Sequence, residues 1–384
     1  MALDFTLTPE QAAMKESARK FAEREISPGA TERDEREEFH LAAFRKTGQF
    51  GLLGLPVPQQ YGGAGADVIT MMAAMEGLGK GCTDGGFIMS VGAHVCICTI
   101  PIWQYGSEEQ KMKFLPKLCA GEFIGAFGLT EPNAGSDAMN VQTTAKKDGD
   151  HWVLNGTKMF ITNGSIADVV LAIATVDKSK KAGGLTAFLV EKGAPGFSCS
   201  RELHKMGMRT SPTAELVFED CRVPEANLIG GIGAGARIMM GTLGWERATM
   251  IASSVGAGER VLERTVKYAQ ERVQFGRPIA KFQAIQHMLA EMKVNLEIIR
   301  LLVYKSAWMK NNGIDDLAFA AITKLTVSEL GRANLLKALQ IHGGYGYMKE
   351  YEIERWVRDS MLGTIGAGTS EIQKMIIARS LLPE

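Results

Sequence analysis

The spacing of apolar residues changes twice along this 384-residue chain, and that double switch restricts the fold more than any single motif does. From Thr8 to about Ile124 apolar residues recur at intervals of three and four, the spacing of one helical face. Between about Phe127 and Val223 the pattern becomes short β-branched and aromatic runs, at 151–154, 158–162, 169–175, 185–190 and 214–218. Asn155-Gly156, Asn163-Gly164 and Gly183-Gly184 read as hairpin or loop punctuation between them. Helical spacing then returns in segments near 239–272, 280–311, 316–341, 350–359 and 370–381. The expectation is an α+β, multi-domain chain with an N-terminal helical domain over 1–125, a small β-barrel or sandwich over 126–232, and a C-terminal four-helix bundle over 233–384.

Local signals sharpen this outline. Thr8-Pro9-Glu10-Gln11 supplies an N-cap, a proline at N1 and a glutamine at N3, which predicts where the first helix starts. The stretches 71–78 and 87–105 are apolar on nearly every face and read as buried helices. The run Gly230-Gly231-Ile232-Gly233-Ala234-Gly235 fits neither a dinucleotide nor a phosphate loop, and reads as a flexible junction between barrel and bundle.

Charge and cysteine usage exclude several function classes. The 43 basic and 43 acidic residues are interleaved along the chain, without the basic stripe a nucleic-acid binder needs. The six cysteines form no CxxC pair, and His94, His287 and His342 read as core or site-lining residues, so no metal is expected. The N-terminal stretch carries Asp4 and Glu10 and no long apolar run, which predicts no leader, no membrane insertion and a cytoplasmic protein.

Four segments carry residues suited to chemistry. The loop 128–137, Gly-Leu-Thr-Glu-Pro-Asn-Ala-Gly-Ser-Asp, is either an Asx-type surface turn or a row of hydroxyls and amides for the edge of a heterocycle. Segment 340–347 joins three glycines and two tyrosines after a helix, and 366–371 precedes the last helix. The two read as a C-cap and an N-cap, and the amides at 369–371, at a helix start, could equally hold a phosphate or a flavin edge. Glu246 lies in a helix otherwise made of small and apolar residues, so its carboxylate is either paired with a base such as Arg247 or desolvated with a raised pKa.

Together these segments resemble the acyl-CoA dehydrogenase family over essentially the whole chain. Residues 128–137 are similar to the family's first signature and 340–359, with Gly343, Gly344, Gly346, Tyr347 and Arg355, to its second; Asn140 departs from the small residue usual in the first. The resemblance implies FAD as cofactor. It places Phe127, Leu129, Thr130, Gly135, Ser136, Phe160, Ile161 and Thr162 against the flavin ring, with Ser136 also at the substrate boundary. It implies that Arg272, Phe275, Gln283, Gln340, Gly343 and Gly344 reach the FAD of a neighbouring subunit, that Thr369 and Glu371 complete the pocket, and that the protein is a homotetramer with an electron-transfer flavoprotein or similar acceptor as partner.

The base is where this chain departs from many members. The family's Tyr-Glu-Gly-Thr is replaced by Gly366-Ala367-Gly368-Thr369, so that carboxylate is missing. A second family arrangement, seen in enzymes like isovaleryl-CoA dehydrogenase, puts the base on the bundle helix before an arginine, which here is Glu246 before Arg247. The resemblance then implies α-proton removal by Glu246, β-hydride transfer to flavin N5, and a backbone N–H at Ala367 for the thioester oxygen, with Trp245, Arg247 and Gly368 near the substrate. Trp245 and the bulky segment 87–100 favour a short, branched or cyclic acyl group. Segments 90–101 and 245–246 resemble members acting on carrier-protein thioesters, including prolyl-carrier-protein dehydrogenases, so CoA and carrier-protein thioesters stay open. A thioester reductase running the chemistry backwards and a non-enzymatic flavin-binding protein are the rival readings; an oxidase with an extra C-terminal domain does not fit the length.

Overall fold

The computed structural model describes residues 6–382. Its first helix, α1 (Pro9–Glu25), begins at the expected capping box: Thr8 Oγ1 accepts the Gln11 N–H at 3.3 Å and Gln11 Oε1 accepts the Thr8 N–H at 3.0 Å. Six helices follow before the sheet: α2 (Ala30–Arg36), α3 (Leu41–Gln49), α4 (Val68–Gly81), α5 (Gly85–His94), α6 (Ile100–Tyr105) and α7 (Glu108–Cys119). A π-helical stretch, Val95–Thr99, joins α5 to α6. The run Gly85–Tyr105 is long and apolar enough to cross a membrane, yet 78% of its apolar window is buried inside the protein, as a core helix requires.

Helix α4 shows why this region is apolar all round. A β-carbon on Gly77 would lie 2.0 Å from the Lys15 carbonyl oxygen and one on Gly81 2.2 Å from that of Arg19, so the α1 backbone rests directly on α4. On the opposite side Gly79 faces the Ser253 carbonyl, and Gly256 faces the Glu76 carbonyl, each with only 1.9 Å for an added carbon. Gly256→Ala should therefore push two backbones apart and cost about 1–3 kcal/mol, read as a lower urea midpoint; an unchanged midpoint would show that the crossing yields.

The β region is an eight-stranded mixed sheet built from β1 (Gly125–Gly128), β2 (Thr144–Asp148), β3 (His151–Thr162), β4 (Val169–Thr175), β5 (Leu185–Glu191), β6 (Phe197–Glu202), β7 (Thr213–Pro224) and β8 (Leu228–Ile229). The strands run in the order β6-β7-β3-β2-β4-β5-β8, and β1 lies parallel to β4. The expected turn at Asn155-Gly156 is instead the middle of one long strand: the pairing of β3 with β7 slips between Leu154 and Gly156, and Gly156 accommodates this bulge at φ 153. Asn163-Gly164 does turn the chain, with Asn163 at φ 65.

Six more helices and a two-stranded hairpin finish the chain: α8 (Gly235–Thr249), α9 (Ser253–Glu271), the strands β9 (Val273–Gln274) and β10 (Arg277–Pro278), α10 (Gln283–Asn311), α11 (Leu317–His342), α12 (Ile353–Ser360) and α13 (Ser370–Leu381). The glycine-rich junction before α8 holds Gly230, Gly231 and Gly233 at positive φ, and the Thr186 hydroxyl accepts the Gly233 N–H at 3.0 Å, so the expected flexible hinge is a tied turn. One core cluster joins Phe44, Met72, Phe87 and Val95 to Trp245, Val255, Leu296 and Val303. The first and last helical regions thus share an apolar interior, while a separate cluster fills the β region.

Candidate active site

Glu246 sits on α8, among residues packed against α11 and the π-helical stretch. Among the described residues no cation comes within ion-pair distance of its carboxylate and no donor bonds it. Burial pushes the carboxyl up to about 7, against the weaker pull of Arg247 and Lys324. Of the two outcomes open from sequence, pairing or desolvation, the structure shows desolvation. Arg247 turns away: its Nε donates to the Ala367 carbonyl at 3.1 Å, and its buried Nη1 has no partner.

Asp359, whose side chain is more deeply buried than that of Glu246, is likewise raised to about 7 by burial, so a shifted pKa alone does not choose the base. Asp359 accepts the Met208 N–H at 2.5 Å and packs where Gly85 leaves it room, which makes it part of the scaffold. The unbonded carboxylate is that of Glu246.

Arg247 links Glu246's helix to the loop before α13. There Ala367 and Gly368 both adopt positive φ, 55 and 88, a conformation that costs an alanine about 1–2 kcal/mol. Three donors hold it. Arg247 and Gln373 Nε2 both bond the Ala367 carbonyl, at 3.1 Å each, while Gln373 Nε2 at 2.9 Å and Lys324 Nζ at 2.8 Å bond the Gly368 carbonyl. With its carbonyls occupied, the loop leaves the Ala367 N–H without an acceptor among the described residues, available to a developing oxyanion. Thr369 caps α13 through its side chain, and Glu371 is exposed in the first turn.

The loop after β1 forms the second part of the site. Phe127 and Leu129 are buried against the α8 face that includes Ile238 and Met239, and the Thr130 carbonyl accepts the Met159 N–H at 2.7 Å. Gly135 and Ser136 are exposed, with no acceptor for their amides among the described residues. Phe160 stands at φ 62 in a bulge and is 66% exposed, an aromatic face placed beside this loop. Ile161 packs into the β core and Thr162 is half-buried, so the side chain of Ile161 belongs to the scaffold. Under the loop lies a buried ion pair: Lys158 Nζ donates to Glu131 at 2.7 Å and to the Leu129 carbonyl at 3.1 Å.

A third group lies apart. Arg272 sits over the Tyr345 ring at 5.4 Å, Phe275 is 94% exposed at the hairpin tip, and Gln283, Gln340, Gly343 and Gly344 are all exposed. Gln340 is sixteen residues along α11 from Lys324, about 24 Å of helix, so one protomer does not bring this group to the Ala367 loop. Trp245 is buried in the shared core with Lys310 5.3 Å above its ring. His94 and His342 are buried and hydrogen-bonded, whereas His287 is exposed; no group of metal-ligating side chains occurs among the described residues. Lys324, Gln373, Glu131 and Lys158 carry no sequence signal that separates them from ordinary polar residues.

A carboxylate left free to take a proton, near an amide left free to receive negative charge, is the equipment of an enzyme that removes a weakly acidic proton bound to carbon. The chain belongs to the acyl-CoA dehydrogenase family, oxidoreductases acting on CH–CH groups. Family models described as the N-terminal, middle and C-terminal domains of acyl-CoA dehydrogenase match residues 8–122, 126–221 and 233–382. The chain is 45% identical over 376 residues to the short-chain-specific acyl-CoA dehydrogenase of Clostridium acetobutylicum, covering 98% of this chain and 99% of that one. Among solved structures it is similar to a prolyl acyl carrier protein oxidase, at TM-score 0.96 and 41% identity over 98% and 100% of the two chains. It is also similar to the butyryl-CoA dehydrogenase of Megasphaera elsdenii, at TM-score 0.95 and 42% identity over 99% and 100%.

Proposed function

We propose that this chain catalyses FAD-dependent α,β-dehydrogenation of a short, branched or cyclic acyl thioester, with Glu246 as the base. The observation that carries the reading is the half-buried, unpaired Glu246 carboxylate beside a loop whose Ala367 amide is free. Glu246 takes the α-proton, and the Ala367 N–H receives the charge that gathers on the thioester oxygen. Arg247 and Gln373 hold that amide in place through the Ala367 carbonyl. When bound, FAD supplies the acceptor for the hydride leaving Cβ.

The residues present suit that cofactor. Phe160 offers an exposed ring face, and the amides of Gly135 and Ser136 offer donors to a heterocycle edge. The exposed Arg272, Phe275, Gln283 and Gln340–Gly344 group, remote from the loop within one chain, fits the adenosine and diphosphate end of FAD in a second copy, as a homotetramer would arrange. An electron-transfer flavoprotein is the acceptor this reading takes.

Two substrate classes have support. The short-chain and butyryl-CoA relatives favour a small acyl-CoA, and the prolyl carrier protein relative favours a prolyl group on a carrier. Offering one acyl group in both forms decides between them. For either, kcat should fall tenfold per unit as pH drops through about 7, because the base works only as a carboxylate and its carboxyl is raised to about 7 by burial. A profile flat from pH 5 to about 8 would remove Glu246 from the base role.

A further inference from the structure

Lys324 is buried on α11, and its ammonium donates to the Gly368 carbonyl at 2.8 Å. Among the described residues that carbonyl is its sole acceptor and no carboxylate lies within ion-pair distance, so two of its three N–H groups are unfilled. Burying an ammonium on these terms is costly, and a methionine of similar length fills the same space without the charge. Nor is the lysine needed to satisfy the carbonyl, which already accepts from Gln373 Nε2 at 2.9 Å. A charge retained at a cost and aimed at the loop beside Glu246 calls for a role in the reaction.

We propose that Lys324 is a positioning residue for proton abstraction: it fixes the Gly368 carbonyl so that the Ala367 amide stays aimed at the thioester oxygen, and its charge acts on Glu246. The inference rests on the Glu246 reading and extends it to a residue that acts through the loop before α13. The charged and titratable groups around the pair are Arg247 on α8, Glu329 on α11, Glu371 on α13, and the Cys96 thiol on the π-helical stretch. Glu329 is engaged by Ser370 at 2.6 Å and Arg332 at 2.7 Å, and Glu371 is exposed, which leaves Lys324 and Arg247 as the cations acting on Glu246. Burial pushes the Lys324 ammonium down to about 8, with Arg247 adding to the fall and Glu246 opposing it.

The test uses flavin-loaded Lys324→Gln and Lys324→Arg beside Glu246→Gln, each followed for flavin content, KM and kcat against pH. Without the cation the Glu246 carboxyl holds its proton more tightly. The acidic limb of kcat in Lys324→Gln should therefore move up by about one pH unit, with the plateau about tenfold lower and KM within about threefold. Lys324→Arg should return the limb to its wild-type position. A wild-type limb in Lys324→Gln overturns the inference, and so does loss of flavin in step with activity, since the lysine would then serve the fold alone. Should Glu246→Gln keep full turnover, the base reading itself fails. An inactive Glu246→Gln beside an unshifted Lys324→Gln rejects only the role of Lys324.

Discussion

Glu246→Gln is expected to lower turnover by roughly 10³- to 10⁴-fold while leaving substrate affinity nearly unchanged, because the amide keeps the shape of the side chain and removes only its basicity. Flavin should be retained, since Glu246 bonds nothing in the described structure. The same substitution should stabilise the fold at alkaline pH. The carboxyl is raised from 4.5 to about 7 by burial, so the folded state binds its proton more tightly than the unfolded chain does, and stability is lost as pH rises through that interval. The variant should therefore melt above the wild type at pH 8 and level with it near pH 4. Equal melting at both would mean that the carboxylate is solvated, and the case for a tuned base would go with it.

The second large effect is expected at Lys158, which is 0% exposed and faces Glu131 at 4%. Glu131 also accepts the Thr143 hydroxyl at 2.5 Å, the Thr143 amide at 2.9 Å and the Gln142 amide at 2.6 Å, so one carboxylate ties the loop after β1 to the start of β2. Lys158→Met leaves that carboxylate buried without its counter-charge, at a cost of about 3–5 kcal/mol. It also frees the Leu129 carbonyl that Lys158 holds, loosening the segment proposed to face the flavin ring. A lower unfolding midpoint with a reduced flavin-to-protein ratio is the expected result, and Glu131→Gln added to Lys158→Met should recover part of both. A midpoint equal to wild type would mean that the pair contributes nothing to the loop.

Much of this was legible because helices repeat their signal over many turns. The segments read at 280–311, 316–341 and 370–381 correspond to Gln283–Asn311, Leu317–His342 and Ser370–Leu381. Strands gave less away. Gly125–Gly128 is buried on both faces and shows no alternation, Thr144–Asp148 ends in three charged residues, and Phe197–Glu202 is an exposed strand at the end of the sheet. Asn155-Gly156 misled because a turn dipeptide and a bulge make the same demand on glycine, and only the partner strand distinguishes them. For the site, Glu246 stood out as a carboxylate in an apolar helix. Lys324, in Thr323-Lys324-Leu325, looks like any helical lysine until α11 is set against α8 and the loop before α13. Its neighbours come from residues 246, 247 and 368, and no spacing within α11 encodes them.

The most direct test of the account is an anaerobic titration of the flavin-loaded protein with a short acyl group presented as its CoA thioester and on a carrier protein, following the visible absorbance of oxidised flavin in wild type and Glu246→Gln. The wild type should bleach rapidly with at least one of the two forms, and bleaching should be slowed by roughly 10³-fold or more in Glu246→Gln. Equal bleaching in both proteins, or a wild type that bleaches with neither thioester, would contradict the account.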